Sequence, residues 1–208
     1  MHFIFIVPIL FFLTLYHFIQ INNLLLSLIG RMDIIQEQRY ITNIFQLKDA
    51  LNKCPKCKKL TMNGDLIMSH EHLVNLDITK IKKKKLALII NSENDASIIG
   101  HWFVILIWKK YAIFADGQQK LFSNREDVML HIRRFCSKNS LKFINQKLKI
   151  QKNRSFKCGF IALFLVAKFS ILSFKSFLAL RAILNNNSIS SNEKFILNFV
   201  KKHFRINI

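Results

Sequence analysis

The chain has 208 residues, half of them apolar and twenty of them Phe, which is enough for one domain with a sizeable core and too little to expect two. Its formal charge of +20 exceeds what solubility requires and points to a polyanionic partner, nucleic acid or an anionic membrane surface. Abundant Lys, Asn, Ile and Phe beside scarce Gly and Pro also mark A/T-rich coding, which reduces the weight of that charge. Four cysteines, at positions 54, 57, 136 and 158, exclude a disulfide-framework protein of this size and fit a reducing compartment.

Residues 1–30, MHFIFIVPILFFLTLYHFIQINNLLLSLIG, carry no charge apart from His2 and His17. The stretch Phe3 to Ile19 approaches the ~20 apolar residues that span a bilayer. It lacks the basic start and small-residue cleavage site of a secretory signal, and it contains Pro8. Residues 1–31 therefore read as a membrane anchor, as an apolar segment packed on the body, or as translated upstream sequence with Met32 the working start. Membrane association follows only from the first. From Met32, MDIIQEQRYITNIFQLKDAL has helical spacing, with Ile34, Ile41, Ile44, Phe45 and Leu51 on one side and Ile35 and Leu47 at its margins. Residues 32–208 are expected to form a single domain.

Residues 54–85 read as a basic, irregular segment. Beyond it LALII (86–90) is a short buried strand and NSENDASIIG a loop. HWFVILIW (101–108) and YAIFAD (111–116) are strands joined as a hairpin through Lys109-Lys110. NREDVMLHIRRFCSK is a helix capped by Ser123 or Asn124, with acids in its first turn. LKFINQKLKIQ sets Phe143, Asn145, Lys147 and Lys149 against Ile144, Gln146, Leu148 and Ile150, as a half-buried strand does. Helices follow at 158–169, 174–185 and 191–204, the last opened by a Ser190-to-Glu193 capping box. This order predicts an α+β fold, a central mixed sheet flanked by helices.

Four residues stand out along this layout. Cys158 opens a long apolar helix, where unpaired N–H groups favour a thiolate, and Gly159 leaves room for a substrate backbone. His101 begins a strong strand and can take and return a proton. Asp116 ends the second strand of the hairpin, so antiparallel pairing brings it beside His101, where it can fix the imidazole. Gln151 precedes Cys158 with six residues between them, and its amide can share an oxyanion with the Cys158 backbone N–H. Taken singly, each also fits an ordinary structural role: small core residue, strand end, turn signal, surface amide.

GHWFVILIWKKYAIFAD, then Gln151, then CGF from Cys158, resembles the adenain (adenovirus-type) cysteine endopeptidases and the related SUMO-specific proteases, over about residues 84–204. The resemblance implies a papain-like core and a triad of His101, Asp116 and Cys158 with Gln151 as oxyanion donor. No cofactor is required for that chemistry. It also implies polypeptide substrates, viral structural precursors cut near glycine during particle maturation, in a host nucleus or cytoplasm and in the virion. Adenain is activated by DNA, and the charge of +20 suits non-specific DNA activation here. The six-residue gap matches adenain; the Asp at 116 matches the SUMO proteases, so a protease of ubiquitin-like modifiers is the neighbouring alternative. Lys157, before the cysteine, departs from both groups, and Cys136 does not match the cysteine through which adenain binds its activating peptide.

Cys54, Cys57, His70 and His72 form a weaker pattern, C-x2-C followed by H-x-H, whose histidines are closer than a zinc finger uses. A non-enzymatic, membrane-anchored, nucleic-acid-binding protein would depend on that segment and be indifferent to Cys158. KIKKKK (80–85) reads as a solvated basic face.

Overall fold

A computed structural model describes residues 43–81, 83–96, 100–118, 125–148, 150–152, 155 and 157–206. The chain divides into units 1–40 and 41–208, and the described residues belong to the second. The apolar segment 1–31, the start of the helix expected from Met32 and the caps at Ser123 and Asn124 lie outside them. Among the described residues no helix is long and apolar enough to cross a membrane.

The centre is a five-stranded mixed sheet in the order β1 (Ile67–Ser69), β2 (Lys85–Asn91), β3 (Trp102–Trp108), β4 (Tyr111–Ala115), β5 (Lys142–Asn145). The outer pairs are parallel; β2–β3 and β3–β4 are antiparallel. β2 and β3 are almost continuously apolar because both faces of the sheet are covered. Phe103, Ile105 and Ile107 join Ala112 and Phe114 on one face, against Val128, Ile132 and Phe135 of α4 (Glu126–Lys138) and Leu73 of α3 (His70–Asn75). The alternate residues of β3 lie against α5 (Cys158–Ile171). This helix is apolar all round, and its interior is buried. It also packs against α1 (Ile44–Asn52), α2 (Pro55–Leu60), α6 (Phe174–Asn185) and α7 (Ile189–Phe204). Lys85, at the start of β2, donates through Nζ to the carbonyls of Phe169 (3.1 Å) and Leu172 (2.9 Å), closing the C-terminus of α5. The α+β architecture with a mixed sheet and flanking helices is thus present.

Several local expectations are corrected. The segment 54–85 is not irregular: it holds α2, a single 3-10 turn at Met62–Gly64, β1 and α3. These elements are three to six residues long, too short for hydrophobic periodicity to register. α1 buries Leu47, Ala50 and Leu51 while Phe45 is 77% exposed, so the apolar stripe is rotated from the expected one. β5 stops at Asn145, whose side chain accepts the Lys147 N–H, yet Gln146, Leu148 and Ile150 continue the buried alternation. α7 begins earlier than expected: Ser188 caps it by accepting the Ser191 N–H. The capping box at Ser190 does not form because the Glu193 carboxylate is turned to Lys152 and Lys157.

Candidate functional site

The hairpin register fixes the first two groups. Val104 pairs with Ala115, which carries His101, before the start of β3, to the same end of the sheet as Asp116, just after β4. The backbone of His101 is held in both directions by Ser92, whose N–H donates to the His101 carbonyl (2.9 Å) and whose Oγ accepts the His101 N–H (3.0 Å). Arg125 in turn donates to the Ser92 carbonyl at 2.8 Å. Gly100 lets the chain pass: a Cβ there would meet Asn91 Oδ1 at 2.1 Å and Glu93 Cγ at 2.5 Å.

His101 Nε2 donates to Asp116 Oδ1 at 2.5 Å, and the same oxygen accepts the Gln118 N–H at 3.0 Å. Asp116 is buried, whereas the His101 side chain keeps 18% exposure toward solvent. Cys158 lies close enough to the imidazole to act on its protonation alongside Asp116. With Nε2 on the carboxylate, Nδ1 is the nitrogen left for the sulfur. Burial disfavours the charged ring, but the hydrogen bonds and negative charges of Asp116 and Cys158 outweigh it and raise the His101 pKa to about 10. Cys158 is a free cysteine on the first turn of α5, and the N-cap residue Lys157 supplies no side-chain capping bond to compete for the N–H groups of that turn. Three of the four residues singled out in the sequence therefore converge as a Cys–His–Asp chain.

Gln151 is buried beside them. Its backbone N–H donates to the Gly117 carbonyl at 3.0 Å, next to Asp116, and its side-chain Nε2 donates to the Ser155 carbonyl at 2.5 Å. Gln118 donates to the same carbonyl at 3.3 Å. The Gln151 amide is thus engaged within the loop that leads to Cys158, and one of its two N–H groups is accounted for. Its Oε1 is buried and makes no hydrogen bond among the described residues.

Sequence reasoning missed the group that closes this loop. Glu193, buried on α7, accepts the Lys152 N–H through Oε1 (2.8 Å) and the Lys157 ammonium through Oε2 (3.3 Å). It therefore grips the chain immediately after Gln151 and immediately before Cys158. Its scarcity was the available signal: the chain has 12 acidic residues against 32 Lys and Arg, so a buried acid needs a cationic or N–H partner.

The zinc-like quartet is not assembled. His70 bonds to His131 Nδ1 (2.8 Å) and Asn94 (2.9 Å), and His72 bonds to Ser69 (2.7 Å). Cys54 and Cys57 are joined as a disulfide and are accompanied instead by His203, from the last turn of α7. The remaining cysteine, Cys136, is a core residue whose thiol burial pushes up to about 11. No family model, curated protein or solved structure matches the chain.

Proposed function

We propose that the protein is a cysteine endopeptidase with Cys158 as nucleophile, His101 as acid and base, and Asp116 as the group that orients the imidazole. The observation that carries this reading is the His101 ring held between the buried Asp116 carboxylate and Cys158. The raised imidazole pKa means that the ring holds a proton at neutral pH beside the sulfur, and the reading requires that this proton be the one Cys158 gives up.

The sulfur attacks the peptide carbonyl carbon and forms the C–S bond, placing negative charge on the oxygen. The Cys158 N–H at the start of α5 and the second N–H of Gln151 are the donors suited to that oxyanion. Collapse breaks the C–N bond as His101 Nδ1 gives its proton to the departing amine. Water then enters; the now neutral imidazole takes its proton, hydroxide attacks the thioester, and the C–S bond breaks to release the acid. Asp116 keeps the ring in the required tautomer throughout without itself accepting the proton.

The likeness of the His101, Gln151 and Cys158 segments to adenain supports a papain-like core and processing of viral structural precursors, in an infected cell and its virions. The charge of +20 supports non-specific DNA as an activator. The test is incubation of the full chain with a peptide library, with and without DNA, and mapping of new termini by mass spectrometry. Cleavage lost in Cys158→Ala and in His101→Ala is expected. Equal cleavage by Cys158→Ala, or none by any protein under either condition, overturns the reading.

A further inference from the structure

A second cluster of reactive side chains lies apart from the candidate active-site residues and plays no part in the proposed chemistry. Cys54 caps α2, Pro55 follows as its first helical residue, and Cys57 sits one turn on, its N–H donating to Cys54 Sγ at 3.3 Å. Both sulfurs are buried, and both point toward the final turn of α7. There His203 Nε2 approaches Cys54 Sγ to 3.4 Å, across 149 residues of sequence. The ligand atoms of Cys54, Cys57 and His203 all lie within 4.8 Å of one another. The imidazole is fixed from two sides, stacked on Phe199 (centroids 5.0 Å) and edge-on to Phe204 (4.9 Å), so its Nε2 is aimed rather than free to swing.

We propose that Cys54, Cys57 and His203 form a zinc site in the reduced protein, with a water molecule as fourth ligand. The donor set decides the metal: two thiolates and an imidazole suit a borderline-soft ion in tetrahedral geometry and reject magnesium or calcium. Sulfur and nitrogen ligands of a tetrahedral zinc lie roughly 3.5 Å apart, given Zn–S near 2.3 Å and Zn–N near 2.0 Å. The Cys54–His203 separation already has this spacing. The disulfide and the zinc use the same two sulfurs, so each excludes the other. A dithiol that reduces the Cys54–Cys57 bond is itself closed to a disulfide and leaves two thiols; zinc then displaces their two protons. The site ties α2 to the closing helix α7, and both of these helices pack on α5. Metal binding thereby adds a cross-link between segments that are distant in sequence, independent of peptide cleavage.

The experiment is to prepare the full chain under a non-thiol reductant, remove excess metal and measure zinc by mass spectrometry. Roughly one zinc per chain is expected, with a higher melting temperature in its presence than after chelation. Zinc should be lost in Cys54→Ser and Cys57→Ser and weakened in His203→Ala. Cobalt substituted into the wild type should show sulfur-to-cobalt charge transfer and the strong visible bands of a tetrahedral site, a readout that needs no variant to fold. Absence of zinc with both thiols free to label overturns the proposal. So does zinc that persists in Cys54→Ser and disappears in Cys158→Ala, because it then belongs to the other thiol.

Discussion

The side-chain amide of Gln151 donates to the backbone carbonyl of Ser155 at 2.5 Å, three residues before Cys158. This bond fixes the amide against the loop that leads to Cys158, and leaves its other N–H as the one that would meet developing charge in the proposed mechanism. A donor held in this way would be pre-oriented, which is the condition for electrostatic stabilisation without reorganisation.

Gln151→Ala is therefore expected to lower kcat by roughly 10²–10³-fold with little change in KM, because an oxyanion donor acts in the transition state. Steady-state kinetics on any cleaved peptide reads the split. A rise in KM at constant kcat would assign Gln151 to substrate binding instead.

The His101 imidazole gives a pH dependence of definite sign. Its pKa is about 10 in the folded chain against an ordinary 6.5, so the native state binds the proton more tightly than the unfolded state. The stability this provides is complete below pH ~6.5 and is lost as pH rises through about 10. Denaturant titrations from neutral to alkaline pH should show that fall in the wild type and a flatter profile in Asp116→Asn, which lacks the carboxylate charge. The alkaline limb of kcat/KM should fall in the same region, where the ring loses the proton it gives to the leaving amine.

Thiol labelling separates the two unpaired cysteines. Burial alone raises the Cys136 pKa to about 11, whereas Cys158 lies beside a ring that is charged at neutral pH. Limiting iodoacetamide at mildly acidic pH should modify Cys158 well ahead of Cys136, and His101→Ala should abolish the preference. Equal labelling of both would mean that Cys158 carries no activated sulfur.

How much of this was legible beforehand follows from sequence distance. His101 and Asp116 sit at opposite ends of a hairpin with a two-residue turn, so pairing register alone brought them together. Cys158 stands out by opening the most apolar helix among the described residues. α2 and α3 escaped because six residues give too few turns for a pattern to appear. The local sequence places Glu193 in a helix cap, since nothing nearby reveals that its carboxylate will prefer an ammonium and an N–H brought from 36 and 41 residues away. His203 was invisible as a neighbour of Cys54 for the same reason, and the nearer His70 and His72 stood in its place.

Glu193 supplies the last prediction, since it holds the loop between Gln151 and Cys158 without facing the reacting atoms. Gln at this position keeps an oxygen for the Lys152 N–H but loses the charge that pairs with Lys157. Ala loses both and leaves the Lys152 N–H and the Lys157 ammonium without this carboxylate. Glu193→Gln should fold near the wild-type stability and lose a few-fold in kcat; Glu193→Ala should lose both stability and a larger share of kcat. Thermal melts and kinetics on the two variants separate these effects. If Glu193→Ala keeps full kcat at temperatures where it is folded, the carboxylate braces the fold alone, and the loop finds its active geometry without it.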